Sequence, residues 1–190
     1  HTTAQLNAAT YGERIKNEIV NGTEITDTLE QILISDDGTI KHFNTIAKNL
    51  MSDSIESVQL APHGVVTDIY PAEGNEAGKI DLLHDKDRGE ISCYARDNHT
   101  VITQGPFELK QGDYGIAVRN PVYLNDENGQ EYFWGFTIVI LRVPEIFSDS
   151  ISALSNFGYE YKLSKTDTPW SDTYKVVCQS DGNLTNPVSY

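Results

Sequence analysis

Between residues 1 and 50, apolar side chains recur at imperfect helical spacing: Leu6, Ala9, Ile15, Ile19, Leu29, Ile32, Phe43, Ile46 and Leu50 stand among charged positions. Two signals interrupt the pattern. Asn21-Gly22-Thr23 can close one helix and open another, and 36-DDGTI-40 is a turn followed by a helix start. The spacing predicts a long N-terminal helix or a helix pair, then a helix over about 38–52.

From residue 56 the period shortens to two. ESVQLAP (56–62) and GVVTDIYP (64–71) read as short strands, separated by a Pro-His-Gly turn and closed by Pro71. Residues 87–97 read as a helix with Ile91, Tyr94 and Ala95 on its apolar side and Asp87 as its cap or first-turn acid. Two strands follow over 100–109 and 114–124, with turns at Gly105-Pro106 and Gly112-Asp113. The strongest strand is 132-YFWGFTIVILRV-143. Simple alternation puts Tyr132, Trp134, Phe136, Ile138 and Ile140 on one face and Phe133, Thr137, Val139 and Leu141 on the other. Both faces are apolar, which places it centrally in a sheet covered on each side.

A helix over about 145–157 comes next, with Ile146, Phe147, Ile151, Leu154 and Phe157 inward and Gly158 at its end. A final pair of strands, 159–165 and 174–180, is divided by the turn 166-TDTPWSD-172. This order predicts an α+β fold with antiparallel sheets rather than a parallel βαβ core. No Gly-rich loop joins a strand to a helix, so a nucleotide-binding fold has no support.

Charge narrows the choice of partners. The chain carries 28 acidic against 14 basic residues, a formal net charge of -14, with the acids spread along its length. Without a Lys/Arg cluster to neutralise phosphates, nucleic acid is excluded as a partner, and the same deficit argues against an acidic lipid surface. The longest apolar run, 134–143, has strand length, far short of the ~18 residues of a membrane span. A soluble piece of a membrane protein has the same appearance. Cys93 and Cys178 allow one disulfide or two buried thiols, and Asn21, Asn98 and Asn183 head Asn-X-Thr sequons.

Candidate chemistry begins with 60-LAPHGVVTDIYPAEGN-75, where His63, Asp68, Glu73 and Asn75 cluster around a short apolar stretch. His63 and His84 lie near Asp68, Glu73, Asp81 and Asp87, yet no HExxH or paired-Cys spacing organises them, and 81-DLLHDKDRGE-90 does not follow the EF-hand pattern. No GxSxG elbow is present, Cys93 has no identifiable His partner, and Asp36 and Asp37 share a turn. The reading is therefore no enzyme, no metal and no cofactor. Binding remains. Arg119 interrupts an apolar strand, with Val118 and Asn120 on the opposite face; beside Tyr123 and Trp134, its guanidinium is suited to grip a ligand carboxylate. An internal ion pair or an edge-strand arginine is the alternative. Tyr94, Tyr114 and Tyr123 are hydroxyl donors for a pocket rim, or sheet packing.

Residues 60–75 together with 80-IDLL-83, 95-ARD-97, 105-GPFEL-109, 111-QG-112 and 119-RNPVY-123 resemble, in order and spacing, the CHASE domain, the extracellular sensory module of bacterial and plant receptors. The resemblance is strong over about 55–142. It implies a long membrane-emerging helix followed by PAS-like antiparallel sheets with flanking helices. The implied division is 1–55 as the N-terminal long helix and connecting helix, 56–142 as a membrane-distal sensor subdomain, and 143–190 as the helix and strands of a membrane-proximal one. The 60–75 segment then becomes scaffold beside a pocket.

The resemblance also implies site residues. Asp87 falls where plant relatives carry an acid that hydrogen-bonds the adenine of a cytokinin, Thr103 matches a pocket threonine, and Leu109 matches an apolar wall. Arg119 departs from the small threonine of those relatives. A buried guanidinium beside a neutral purine is costly, so the expected ligand is not a cytokinin but a small anionic or zwitterionic molecule such as an amino acid or short peptide, with Asp87 taking its amine. Asp87 neutralising Arg119 directly is the other arrangement. The implied whole is the extracytoplasmic sensor of a membrane-anchored receptor, homodimeric through its N-terminal helix, with a histidine kinase or diguanylate cyclase output. The rival is an extracellular protein- or cell-wall-binding module displaying an aromatic cluster around Trp134 or Trp170.

Overall fold

The computed structural model describes residues 2–73, 77–78, 80–110 and 112–190. Among them, α1 (Thr2–Ser35) and α2 (Phe43–Leu50) lead into β1 (Ile55–Pro62), β2 (Asp68–Tyr70), α3 (Gly89–Asp97), β3 (Ile102–Glu108), β4 (Tyr114–Asn125) and β5 (Glu131–Val143). A single 3-10 turn (Glu145–Phe147), α4 (Ser148–Asn156) and a hairpin of β6 (Lys162–Thr166) and β7 (Tyr174–Gln179) complete the chain. The α+β class holds. The five-stranded open sheet has the order β2-β1-β5-β4-β3, every pairing is antiparallel, and β5 is its central strand. The β6-β7 hairpin forms a separate two-stranded sheet.

One helix, not a pair, fills the N-terminal region, and it runs straight through Asn21-Gly22. Its buried residues Gly22, Thr26, Leu29 and Leu33 form a single stripe that lies on the sheet. Gly22 serves close packing: a Cβ there would come within 2.8 Å of Leu141 Cδ2. Leu29 and Leu33 join Val118, Val122, Val139 and Leu141, with Phe43 and Ala47 of α2 beside them. Full burial of each such leucine contributes about 2 kcal/mol. α3 covers the other face, where Ile91 and Ala95 meet Ile102, Ala117, Phe136, Ile138 and Ile140.

A bulge changes which way the aromatic residues of β5 point. Val122 pairs with Gly135 and Tyr123 with Phe133, so Trp134 is the extra residue. Gly135 has φ 150°, and a Cβ there would sit 2.1 Å from the Ala61 carbonyl oxygen; only glycine fits. Trp134 therefore joins the α1 side, where its Nε1 donates to the Gly38 carbonyl at 3.0 Å, while Phe133 packs with Phe136 on the α3 side. The two residues exchange the faces that simple alternation assigns them.

Smaller differences have similarly local causes. Gly105-Pro106 lies inside β3, where the register shifts between Gln104 and Phe107, and is not a turn. Asp85, not Asp87, supports the start of α3, its Oδ1 accepting the backbone N–H groups of Asp87 and Arg88 at 2.9 Å each. Phe157, expected inward, is 69% exposed just past the end of α4. Cys93 and Cys178 are free thiols.

Candidate ligand-binding site

Arg119 sits midway along β4, opposite Ile102 on one side and Ile138 on the other. Its side chain lies on the α3 face and is only 4% exposed. The guanidinium Nη1 donates to Gln104 Oε1 at 2.6 Å, and Gln104 Nε2 in turn donates to the Asp87 backbone carbonyl at 2.8 Å. A glutamine on the edge strand thus links the buried cation to the turn that precedes α3.

That acceptor is neutral. Among the described residues no carboxylate comes within ion-pair distance of Arg119: the closest acidic influence is Asp85, whose carboxylate is already taken by Arg88 at 3.0 Å. Burial, reinforced by the neighbouring Arg88 charge, pulls the Arg119 pKa down to about 10. Even so it remains a cation at neutral pH. A buried guanidinium with one neutral acceptor is an electrostatic deficit that an incoming anion can remove.

Trp134 is on the far side of the sheet, so it does not flank Arg119. Tyr123 shares the Arg119 face but is occupied elsewhere, stacked on His99 at 3.9 Å between ring centroids, its hydroxyl donating to the Arg96 carbonyl. Asp87 is exposed; its carbonyl holds Gln104, and its carboxylate has no hydrogen bond or ion pair among the described residues. Leu109 packs against the apolar cluster under α3. Tyr114 is 52% exposed at the start of β4, paired with Glu108 and Val143, well along the strand from Arg119.

Tyr94 and Thr103 belong to a different feature. They line a half-open groove of about 330 Å³ along the outer edge of β3, together with Thr100, Lys165, Thr166 and Thr168. Tyr94 meets Trp170 at 5.1 Å where the β6-β7 turn closes over α3. Thus Arg119, Gln104 and the Asp87 turn converge, Tyr94 and Thr103 lie one strand outward, and Tyr114 and Tyr123 join neither set. Gln104 and Lys165 escaped sequence reasoning. Gln104 is legible only from the β3-β4 register, and Lys165 reaches β3 from 60 residues away in sequence.

Of the cluster of His63, Asp68, Glu73 and Asn75, the structure shows local turn roles for the first two. His63 turns the chain after β1 with φ 55°, its backbone N–H donating to Trp134 O at 2.7 Å, and the Asp68 carboxylate accepts the neighbouring Thr67 hydroxyl at 2.8 Å. Asn75 lies outside the described residues. Among the described residues no group of three or more His, Cys, Asp or Glu is placed to hold a metal ion.

The fold has relatives among solved structures. The extracellular ligand binding receptor from Desulfohalobium retbaense DSM5692 superposes with TM-score 0.62 at 14% identity, covering 84% of this chain and 29% of that one. The ligand binding domain of the Pseudomonas aeruginosa PAO1 amino acid chemoreceptor PctC, in complex with GABA, gives 0.56 at 17% identity, covering 83% of this chain and 66% of that chain. That of PctB from the same organism, in complex with L-Gln, gives 0.61 at 13% identity, covering 90% and 69%. At these identities the likeness is one of fold. No curated protein matches the sequence. The family model described as the CHASE domain matches residues 14–173, most of the chain. With the long leading helix, the open antiparallel sheet and its flanking helices, this match shows that the chain belongs to the CHASE domain family, the extracytoplasmic ligand-sensing modules of membrane receptors.

Proposed function

We propose that this chain senses a small anionic or zwitterionic molecule, such as an amino acid or short peptide, whose carboxylate meets Arg119. The observation that carries the reading is the buried guanidinium whose one hydrogen bond among the described residues goes to the neutral Gln104 side chain. A carboxylate offers two acceptors in the plane the guanidinium prefers. Asp87, with its free carboxylate on the adjoining turn, is placed to take an amine. GABA and L-Gln, held by the two chemoreceptor domains of similar fold, each combine a carboxylate with an amine.

The mechanism follows from the hydrogen bonds. A ligand carboxylate replaces Gln104 on Arg119, Gln104 releases the Asp87 carbonyl, and the turn before α3 shifts relative to β4. Ligand then favours one of two pre-existing arrangements in proportion to its differential affinity. In this reading residues 56–142 form the membrane-distal sensing unit and 143–190 the membrane-proximal one, in keeping with the separate β6-β7 sheet. The parent receptor is anchored in the membrane and drives a histidine kinase or diguanylate cyclase; this chain is not itself an enzyme. α1 supplies the homodimer contact: Leu6, Val20 and Ile34, exposed and two heptads apart in turn, mark one stripe along it. Of the two tryptophans on which the rival aromatic-surface module rests, Trp134 is 8% exposed and turned into the core, whereas Trp170 is 46% exposed and meets Tyr94.

The test is calorimetric titration of the chain with a panel of amino acids and dipeptides, beside an Arg119→Met variant confirmed as folded by circular dichroism. Saturable binding that disappears in the variant supports the reading. Binding that survives the loss of the guanidinium, or no binding across the panel, overturns it.

A further inference from the structure

We propose that the groove on the outer edge of β3 is a second site, separate from Arg119, that binds a small monocarboxylate with a short apolar tail. Its place in the fold is unusual. β3 is an edge strand, and the β6-β7 hairpin approaches that edge without joining the sheet. The space left between them, about 330 Å³, lies in the range of small-molecule pockets.

Among the described residues, Lys165 is the one charged residue lining it. The Lys165 ammonium donates to the Gly105 carbonyl at 3.1 Å and to the Thr166 carbonyl at 2.7 Å, which uses two of its three N–H groups. Asp167, the acid that acts on it electrostatically, is held by Lys175 at 2.9 Å, so two lysines share one carboxylate and Lys165 makes no ion pair with it. Burial accordingly pushes the Lys165 ammonium below the ordinary lysine range. In a chain of net charge -14, an ammonium inside a groove whose lining contains no acid among the described residues is a local site for one negative charge.

The rest of the lining selects among anions. Thr100, Thr103, Thr166 and Thr168 supply hydroxyls and Val101, Ile102 and Pro169 supply apolar surface. A single cation among hydroxyls suits one carboxylate, and the apolar wall suits a short hydrocarbon tail. Because Ile102 both lines this groove and pairs with Arg119, the two sites are back to back across one strand, and occupancy of one bears on the other.

The experiment is an amide NMR titration of the 190-residue chain with sodium butyrate, against butyramide as the neutral isostere and sodium chloride as the ionic control. Saturable shifts are expected at Thr100–Thr103 and Thr166–Thr168 with butyrate alone. Lys165→Met, or Lys165→Gln if the first variant fails to fold, is expected to weaken butyrate binding about tenfold or more. Equal shifts with butyramide, undiminished binding in the folded variant, or no saturable shift at the groove overturns the proposal. Shifts confined to Asp85, Arg88 and Arg119 would do the same while supporting the Arg119 site, so the two readings fail separately.

Discussion

Arg119 and Asn120 are consecutive on β4 and face opposite sides of the sheet. The Arg119 guanidinium reaches Gln104 on the α3 side, and the Asn120 amide donates to Glu30 of α1 at 3.1 Å and to Thr137 Oγ1 at 3.2 Å. Thr137 in turn donates to the Thr26 carbonyl of α1 at 2.9 Å. A displacement of β4 caused at Arg119 therefore acts on α1 through one peptide unit. Asn120→Ala is expected to cost about 1–3 kcal/mol by urea unfolding, because it removes one member of a buried polar chain and leaves the others short of a partner. In the intact receptor it should weaken the response more than it weakens ligand affinity.

The Arg119-Gln104 pair predicts an asymmetry. Gln104→Leu strips the guanidinium of its acceptor and should destabilise by about 2–3 kcal/mol, whereas Arg119→Met replaces a buried cation by an apolar chain and should be near neutral or stabilising. Denaturant unfolding of the two variants and their double mutant checks this. A Gln104→Leu loss that persists in the Arg119→Met background would show that the glutamine acts through something else.

Gly22 opposes helix propensity to packing. Alanine in a helix interior gains about 1 kcal/mol over glycine, but its methyl group would press on the fully buried Leu141, and overpacking costs about 1–3 kcal/mol. Gly22→Ala should therefore give no stabilisation and most often a loss, read as a lower Tm. In a Leu141→Ala background the same change should turn favourable.

Glu18 makes stability depend on pH. Burial, the largest influence, raises its pKa above the ordinary 4.5, although Ser150 Oγ donates to its Oε1 at 3.0 Å and Arg14 lies at 4.0 Å; Asp149 adds to the rise. Its other oxygen is buried without a hydrogen bond among the described residues. A carboxyl whose folded pKa is raised holds its proton longer in the folded state, so its contribution to stability falls as pH climbs from about 4.5 through the folded value. Glu18→Gln keeps the acceptor for Ser150 and removes the ionisation. The variant should gain stability over the wild type at pH 7 and show little gain below pH 4.5, in unfolding curves measured at both.

Cys178 is predicted to be a slow thiol. Burial pushes its pKa up to about 11, so its thiolate fraction at pH 8 is small. Iodoacetamide should label it far more slowly in the native chain than in urea, and without reductant the unfolded chain should titrate two thiols.

The elements that could be read in advance were those written in periodicity. β5 announced itself as a central strand because both of its faces are apolar, and α1 through the recurrence of Ile15, Ile19 and Leu29 among charges, although the buried Leu33 was not among the positions read. The opposite facing of Arg119 and Asn120 also followed from alternation alone. Alternation failed at Trp134, because a one-residue bulge is decided by a backbone clash with Ala61 that no local pattern encodes. Asn21-Gly22 looked like a break because glycine disfavours helix, yet it is fixed by a leucine that arrives from β5. The site divided in the same way. Arg119 stood out as a charge in an apolar run, whereas Gln104 and Lys165 matter through pairings across strands and hairpins that only the folded chain brings together.

α1 has one more consequence. At 34 residues it is about 51 Å long, yet its fully buried stripe begins only at Gly22. The helix lies on the sheet through Gly22–Leu33 and, by half-buried Ile15 and Ile19, on Ile116, Val143 and Phe147; its first ~20 Å runs beyond that packing, where Asn7 donates to the Tyr159 hydroxyl. It is a lever with an off-centre fulcrum. A tilt of about 3° at Thr26 would move the far end by about 1.9 Å, the scale of helix displacement that switches other proteins. The sheet can thus change by a few tenths of an ångström around Asn120 and still deliver a usable stroke at the other end of the chain.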